Sequence, residues 1–348
     1  MERTGKETGK YYQYLDVLRV IAICLVIFTH SGIFGIHSYT KCEVSSLKYF
    51  VYVFLAPLSQ CSVNIFFMIS GVLLLGKEES LKKLFSHRIL RFFLSLSLFV
   101  FVTMIFDLVK YGTRPTVLGF FKDVYQGGNL TQQWFLFSYL SLLFILPFLR
   151  KMVKTLTKAE YLYLVILMIV FKILCPMFEA VFDWNACGIG IPFLENILFY
   201  PLLGYGMFLF AQEYLSNRNM LFAGGFGVVL LIGQMLMNHH SFVNGEKLAY
   251  LNLFTPIYCI IIFALAMGLF GKKTSVKKEK FWKFCGNGVF GTYIFENILE
   301  ELFRPGFVKV FGEYGSLFGL LCWIVAIVTL GICISNLLKK IPGIKNVL

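Results

Sequence analysis

Charge is the scarcest property of this chain. Only 15% of its 348 residues are Asp, Glu, Lys or Arg, where soluble globular proteins carry about 25%. Acidic residues are the rarer sign, 19 against 32 basic ones. A chain so short of charge cannot clothe itself against water, which excludes an ordinary soluble domain. Cysteine motifs are lacking too. The nine cysteines include no CxxC and no metal-ligand spacing, and most fall in apolar runs, where cysteine serves as a small apolar filler. Cys42 and Cys187, both expected on the outer side, are the one candidate disulfide. His239 and His240 have no third ligand beside them, so no metal site is expected. Low-complexity tracts and long polar segments are also missing. The expected organisation is a single membrane domain over 1–348 with no fused extracytoplasmic domain.

What is abundant is hydrocarbon. Hydrophobic residues make up 58% of the chain and aromatic ones 18%, and mean hydropathy is +0.74. A membrane-spanning helix needs about 20 mostly apolar residues. Ten such stretches run near 15–36, 49–75, 89–109, 132–149, 161–178, 189–210, 220–238, 250–270, 286–303 and 316–338. They predict an all-α polytopic bundle of about ten transmembrane helices with both termini cytoplasmic. The first stretch is too long for a signal-peptide core and lacks a small-residue cleavage pattern, so it is expected to stay. Residues 110–131, broken by Gly112, Pro115, Gly127 and Gly128, read as the longest outer loop. Residues 271–285 read as a lysine-rich inner loop.

A net charge of +13 would suit nucleic acid, but its distribution argues otherwise. With the N-terminus inside, 22 of the 32 basic residues fall on inner segments and eight on outer ones. That bias is the positive-inside rule, and it sets orientation. No nucleic-acid partner is expected; the lipid bilayer is.

Ionisable groups inside hydrocarbon are functional suspects. Here they are Arg19, His30, Lys172, Glu195 and Glu296, with Asp16 at the inner end of the first helix. Arg19 and His30 lie eleven residues apart, so on a helix they share a face about 16 Å apart along the axis. A guanidinium can fork onto a phosphate or carboxylate, and an imidazole can take a proton from a hydroxyl near neutral pH. Two roles stay open for each. Arg19 can snorkel to the inner interface with Asp16 as partner, and His30 can be a packing histidine bonded to a neighbouring helix. Arg88 and Arg91 share a face at the inner mouth of the third helix beside Lys82, Lys83 and His87. They suit a phosphate cradle, or simple anchoring by the positive-inside rule. Trp134 can stack on a sugar or act as an interfacial anchor, with Gln132 and Gln133 beside it as further acceptor contacts. The tetrapeptide ENIL occurs at Glu195–Leu198 and again at Glu296–Leu299, too short to be a repeat.

In order, these residues resemble the motifs of the acyltransferase 3 family. Leu15-Asp16-Val17-Leu18-Arg19 running to His30 is similar to its LD-x-LR opening and R-x10-H motif. Phe66-Phe67-Met68-Ile69-Ser70-Gly71 resembles its F-x-x-SG helix, Arg88-Ile89-Leu90-Arg91 its RxxR, and Trp134-Phe135-Leu136 its W-x-L. The resemblance spans essentially the whole chain. It implies transfer of an acyl group, acetyl by default, from cytoplasmic acyl-CoA to a hydroxyl of a glycan or other acceptor. It implies His30 as the catalytic imidazole and Arg19, Arg88 and Arg91 on the donor phosphates.

The chain departs from the family where relatives close the second-last helix with a Tyr-x-x-His-like sequence; here it reads Tyr293-Ile294-Phe295-Glu296-Asn297. Glu296 then has three roles open to it: orienting His30, touching the acceptor, or pairing with Lys172. The expected function is therefore a plasma-membrane O-acyltransferase. It acts on a cell-surface or secreted glycan or its lipid-linked precursor, with no permanently bound cofactor. His30 serves as general base or transient acyl carrier, and a separate extracytoplasmic partner is an open option. The competing class is a transporter or flippase for an anionic substrate, with Lys172, Glu195 and Glu296 as a proton relay.

Overall fold

A backbone in hydrocarbon must satisfy its own N–H and C=O groups, which leaves helices as the way to cross. The computed structural model describes residues 11–126, 134–272, 275–314 and 316–344, and among these no strand occurs. The helices are α1 (Gln13–His30), α2 (Leu47–Ser59), α3 (Ser62–Leu74), α4 (Leu81–Tyr111), α5 (Val117–Gln126) and α6 (Trp134–Val153). Then come α7 (Lys158–Phe182), α8 (Asn196–Phe210), α9 (Asn217–Val243), α10 (Thr255–Phe270), α11 (Val276–Phe311) and α12 (Leu317–Leu338).

Every expected apolar stretch contains helix. Seven spans are long and apolar enough to cross a membrane by length and composition: α1, α2–α3 as one path, α4, α6, α7, α9 and α12. The chain is a membrane protein. α8 and α10 are apolar but shorter, and α11, at 36 residues, is interrupted by Glu296, Glu300 and Glu301.

Several boundaries differ from the sequence expectation, each for a local reason. The first stretch stops at His30 because Gly32 takes a left-handed φ of +54°, and short 3-10 turns follow to Lys41. The second breaks at Gln60–Cys61, just after Pro57, which has no N–H to give the helix. Residues 189–195 are not helical spans: Pro192 opens a 3-10 turn and Glu195 is the N-cap of α8. Glu195 accordingly sits at a helix start and is exposed, where the sequence placed it inside a helix. The expected outer loop contains α5, none of whose residues is buried. Most of the expected lysine-rich loop 271–285 is the first part of α11.

Two π-turns widen the helices locally, Phe85–Ile89 in α4 and Val170–Leu174 in α7. Such insertions often mark functional positions. The first contains Arg88 and the second Lys172.

The bundle closes around α1, which packs on both α3 and α11, while α3 crosses α8 and α11 runs along α12. The α3–α8 crossing is close because both helices present glycine. A Cβ at Gly71 would run into the backbone of Pro201, and one at Gly204 into that of Met68. Small residues at such crossings let backbones meet where lipid offers no hydrophobic drive. Backbone cannot step aside as a side chain can, so Gly71→Val should cost more than about 3 kcal/mol, the upper end for overpacking. Thermal unfolding followed by size exclusion in detergent checks this. Gly225→Val, where a Cβ meets nothing within 4 Å, is the control and should behave as wild type.

Candidate functional site

His30 is the last residue of α1, and the turn after it is built to hold it. The backbone N–H of Ser31 donates to the Ile27 carbonyl at 3.0 Å, and Gly32 turns the chain away. The imidazole meets α11, where its Nδ1 lies 2.7 Å from Oε1 of Glu296. When the carboxylate is ionised it only accepts, so Nδ1 is then the donor, and in a neutral ring Nε2 is the nitrogen left to accept a proton. Glu296 is 0% exposed, and its Oε2 has no hydrogen-bond partner in the protein. One turn on, Glu300 Oε1 lies 2.8 Å from the Ser31 hydroxyl, and that oxygen accepts the Trp323 indole N–H at 2.7 Å. Trp323 is itself fully buried between Phe34 and Phe307. Arg304 reaches Glu300 at 3.8 Å and Glu301 at 3.1 Å. The imidazole is thus oriented by a buried carboxylate and braced by a packed polar layer.

The open role of Glu296 resolves to the His30 contact. Lys172 instead lies 3.8 Å from Glu195. Glu296 lines neither cavity described below.

His30 opens onto a cavity of about 880 Å³. Trp134, 45% exposed, also lines it, as does Lys172 from its π-turn. A second cavity of about 490 Å³ lies by the other end of α1 and is lined by Arg19, Arg88, Arg91, Lys77 and Lys339, with His87 beside them. Among the described residues no Asp or Glu lines this second cavity. Its cations are partly held from behind. Asp16 pairs with Arg19, and Glu79 binds Arg88 Nε at 2.7 Å and Arg150 Nη2 at 3.0 Å. Arg150 Nε also donates to the Leu74 carbonyl at 2.9 Å. Engaged through Nε, Arg88 keeps its two terminal nitrogens for an anion.

The electrostatics agree with that reading. Burial works against an ionised Glu79, but hydrogen bonds from Arg88 and Arg150 outweigh it and hold the carboxyl below its usual range. Burial, then the neighbouring Arg88, pushes the Lys77 ammonium down. Burial, then Arg91 and Arg19, does the same to Lys339. Cations that crowd one another this way are relieved by a polyanion.

Among the described residues none lines both cavities. Arg19 therefore stands with Arg88 and Arg91, and His30 apart from all three. One side of the smaller cavity is aromatic. Phe135 packs on Tyr293 at 5.6 Å, Phe67 at 5.1 Å, and Phe66 and Tyr139 at 5.8 Å. Adjacent residues of α6 face opposite chambers, Trp134 the larger and Phe135 the smaller. Gln132 and Gln133 lie outside the described residues.

Sequence reading missed Glu79, Arg150, Lys77 and Lys339 as parts of the site, treating the basic ones as anchors. The signal was present in Glu78-Glu79, two acids at the head of a run otherwise rich in Lys and Arg. Cys42 and Cys187, the candidate disulfide, are both free thiols in the structure, and Cys42 Sγ donates to the Ser38 carbonyl. Among the described residues no group of three His, Cys, Asp or Glu is placed to hold a metal. His239 instead bonds the Tyr49 hydroxyl at 3.2 Å.

Compared with known proteins, residues 12–339 match the family model described as an acyltransferase domain, that of the acyltransferase 3 family. No curated protein and no solved structure matches the chain.

Proposed function

The chain belongs to the acyltransferase 3 family, and from that premise we propose that it transfers an acyl group, acetyl by default, from acyl-CoA to a hydroxyl of a surface or secreted glycan or its lipid-linked precursor. The observation that carries this reading is the His30–Glu296 contact, with the basic cavity at the opposite end of the same helix.

We place the protein in the plasma membrane with about ten spans and both termini cytoplasmic, on the positive-inside bias of its loops. The basic cavity then opens towards the cytosol, where acyl-CoA resides. Arg88, Arg91 and Arg19, joined by Lys77 and Lys339, take the donor phosphates. The pantetheine arm runs outward along α1, past Phe135 and Tyr293, over the roughly 16 Å between Arg19 and His30. The acceptor enters the larger chamber.

There the hydroxyl gives its proton to Nε2 of His30 as its oxygen attacks the thioester carbonyl. The C–S bond breaks, and the departing thiolate takes the proton back from Nε2. Glu296 holds the ring in the productive tautomer and stabilises the imidazolium that forms between these steps. The aromatic side of the smaller cavity keeps bulk water from the thioester until the arm is seated.

The test uses membranes with the cytoplasmic face exposed and radiolabelled acetyl-CoA, following label into extractable glycan and lipid-linked sugar. Protein-dependent label is the expected result. No label and no CoA binding would sink the reading. Substrate flux driven by a proton gradient without any acyl donor would replace it with a transporter.

A further inference from the structure

The two chambers differ in sign as well as in size. The smaller is lined by five Lys or Arg side chains and no acid among the described residues. The larger is lined by Glu179, Asp183 and Glu246 against the single cation Lys172. That cation is shared with Glu195, which does not line the chamber. Glu179 takes the Cys187 backbone N–H at 2.7 Å and Glu246 the Ser241 hydroxyl at 2.8 Å, so neither carboxylate is neutralised by a cation. An anion entering here meets uncompensated negative charge.

The rest of the wall offers neutral hydrogen-bonding groups, the side-chain amides of Gln60, Asn64, Asn196 and Asn252. Thr255 lines it too. It is 4% exposed, and its buried hydroxyl has no partner in the protein. Trp134, Tyr200 and Tyr250 add aromatic surface. At about 880 Å³ the chamber lies within the range of small-molecule sites, about 300–1,000 Å³.

We propose that this chamber is a binding site for a polyhydroxyl ligand without negative charge, a neutral or amino-bearing sugar, and that it discriminates against uronates and phosphorylated sugars. The amides bond hydroxyls, the aromatic rings cover the apolar face of the sugar, and the three carboxylates set the sign. The inference rests on the acyl-transfer reading only in calling this ligand the acceptor; the binding class stands on the chamber itself.

The test uses the full chain in lipid nanodiscs with three photoreactive octyl glycosides of one tail: a glucoside, a glucosaminide and a glucuronide. Crosslinked peptides are mapped by mass spectrometry, and affinities come from competition. The glucoside and glucosaminide should label chamber peptides. The glucuronide should compete at least about tenfold more weakly at neutral pH and moderate salt. In the double variant Asp183→Asn, Glu246→Gln that gap should close several-fold, with folding checked by size exclusion and thermal unfolding of the same discs. Glucuronide binding as tight as the glucoside, label mapping outside the chamber, or an unchanged gap in the double variant would each overturn the proposal. Acetyl-CoA turnover is measured in the same discs. Chamber labelling with no turnover and no CoA binding would sink acyl transfer alone; turnover with a preference for the glucuronide would sink this inference alone.

Discussion

Replacing His30 by alanine should lower acyl transfer by about a thousandfold or more, since a positioned general base supplies about 10²–10⁴ and here the leaving thiolate relies on the same nitrogen. The donor KM should hardly change, because His30 lines only the larger cavity while the cations lie in the other. Glu296→Gln is the more telling partner. Its amide can donate to Nδ1, which turns the ring to the tautomer with Nε2 protonated and unable to accept. A fall of about 10²-fold or more in kcat is expected, by analogy with the wrong-tautomer effect in hydrolase triads. Glu296 touches only the ring, so the double variant should be no slower than His30→Ala alone. Free imidazole, admitted by the open chamber, should partly restore His30→Ala and leave Glu296→Gln unaffected. Full additivity of the two substitutions, or unchanged transfer by His30→Ala, would remove the dyad from the chemistry.

The elements of the bundle were legible because hydrophobic length is a local property. All ten apolar stretches carry helix, and the four motifs fall where the chambers meet α1, α3, α4 and α6. What was hidden is what a local pattern cannot carry. ENIL reads identically at 195 and 296, yet Glu195 caps a helix in the open while Glu296 is fully buried against His30. The difference lies in a partner 266 residues away. Arg19 and His30 share a helical face, and spacing alone suggested one continuous stripe. The two line separate cavities, and the aromatic side of the one at Arg19 is built by α3, α6 and α11 together. The π-turns at Phe85–Ile89 and Val170–Leu174 each shift the helical phase by a fraction of a turn, which no local residue pattern announces. The acids of the larger chamber come from a helix end and two loops, the segments with least periodicity.

The same division of labour fixes the last expectation, which concerns the donor alone. Arg88→Ala and Lys339→Met should each raise the KM for acyl-CoA by about tenfold to a hundredfold, the range of one charge-assisted hydrogen bond at about 1.5–3 kcal/mol. Turnover at saturating donor should be kept, because neither side chain borders His30. Arg88→Lys should recover little of this. Arg88 is held through Nε by Glu79, and only a guanidinium can keep that bond while offering two more donors outward; an ammonium must choose. Glu79→Gln tests the buttress separately. It keeps the shape but removes the charge that pins Arg88 and Arg150 together, so it should weaken donor binding less than the loss of Arg88 and make it more sensitive to salt. If these cations only anchor the helix ends, the four variants will change expression or orientation and leave the KM alone. A KM that rises with kcat preserved cannot come from anchoring, and it would assign the basic cavity to the phosphates of the donor.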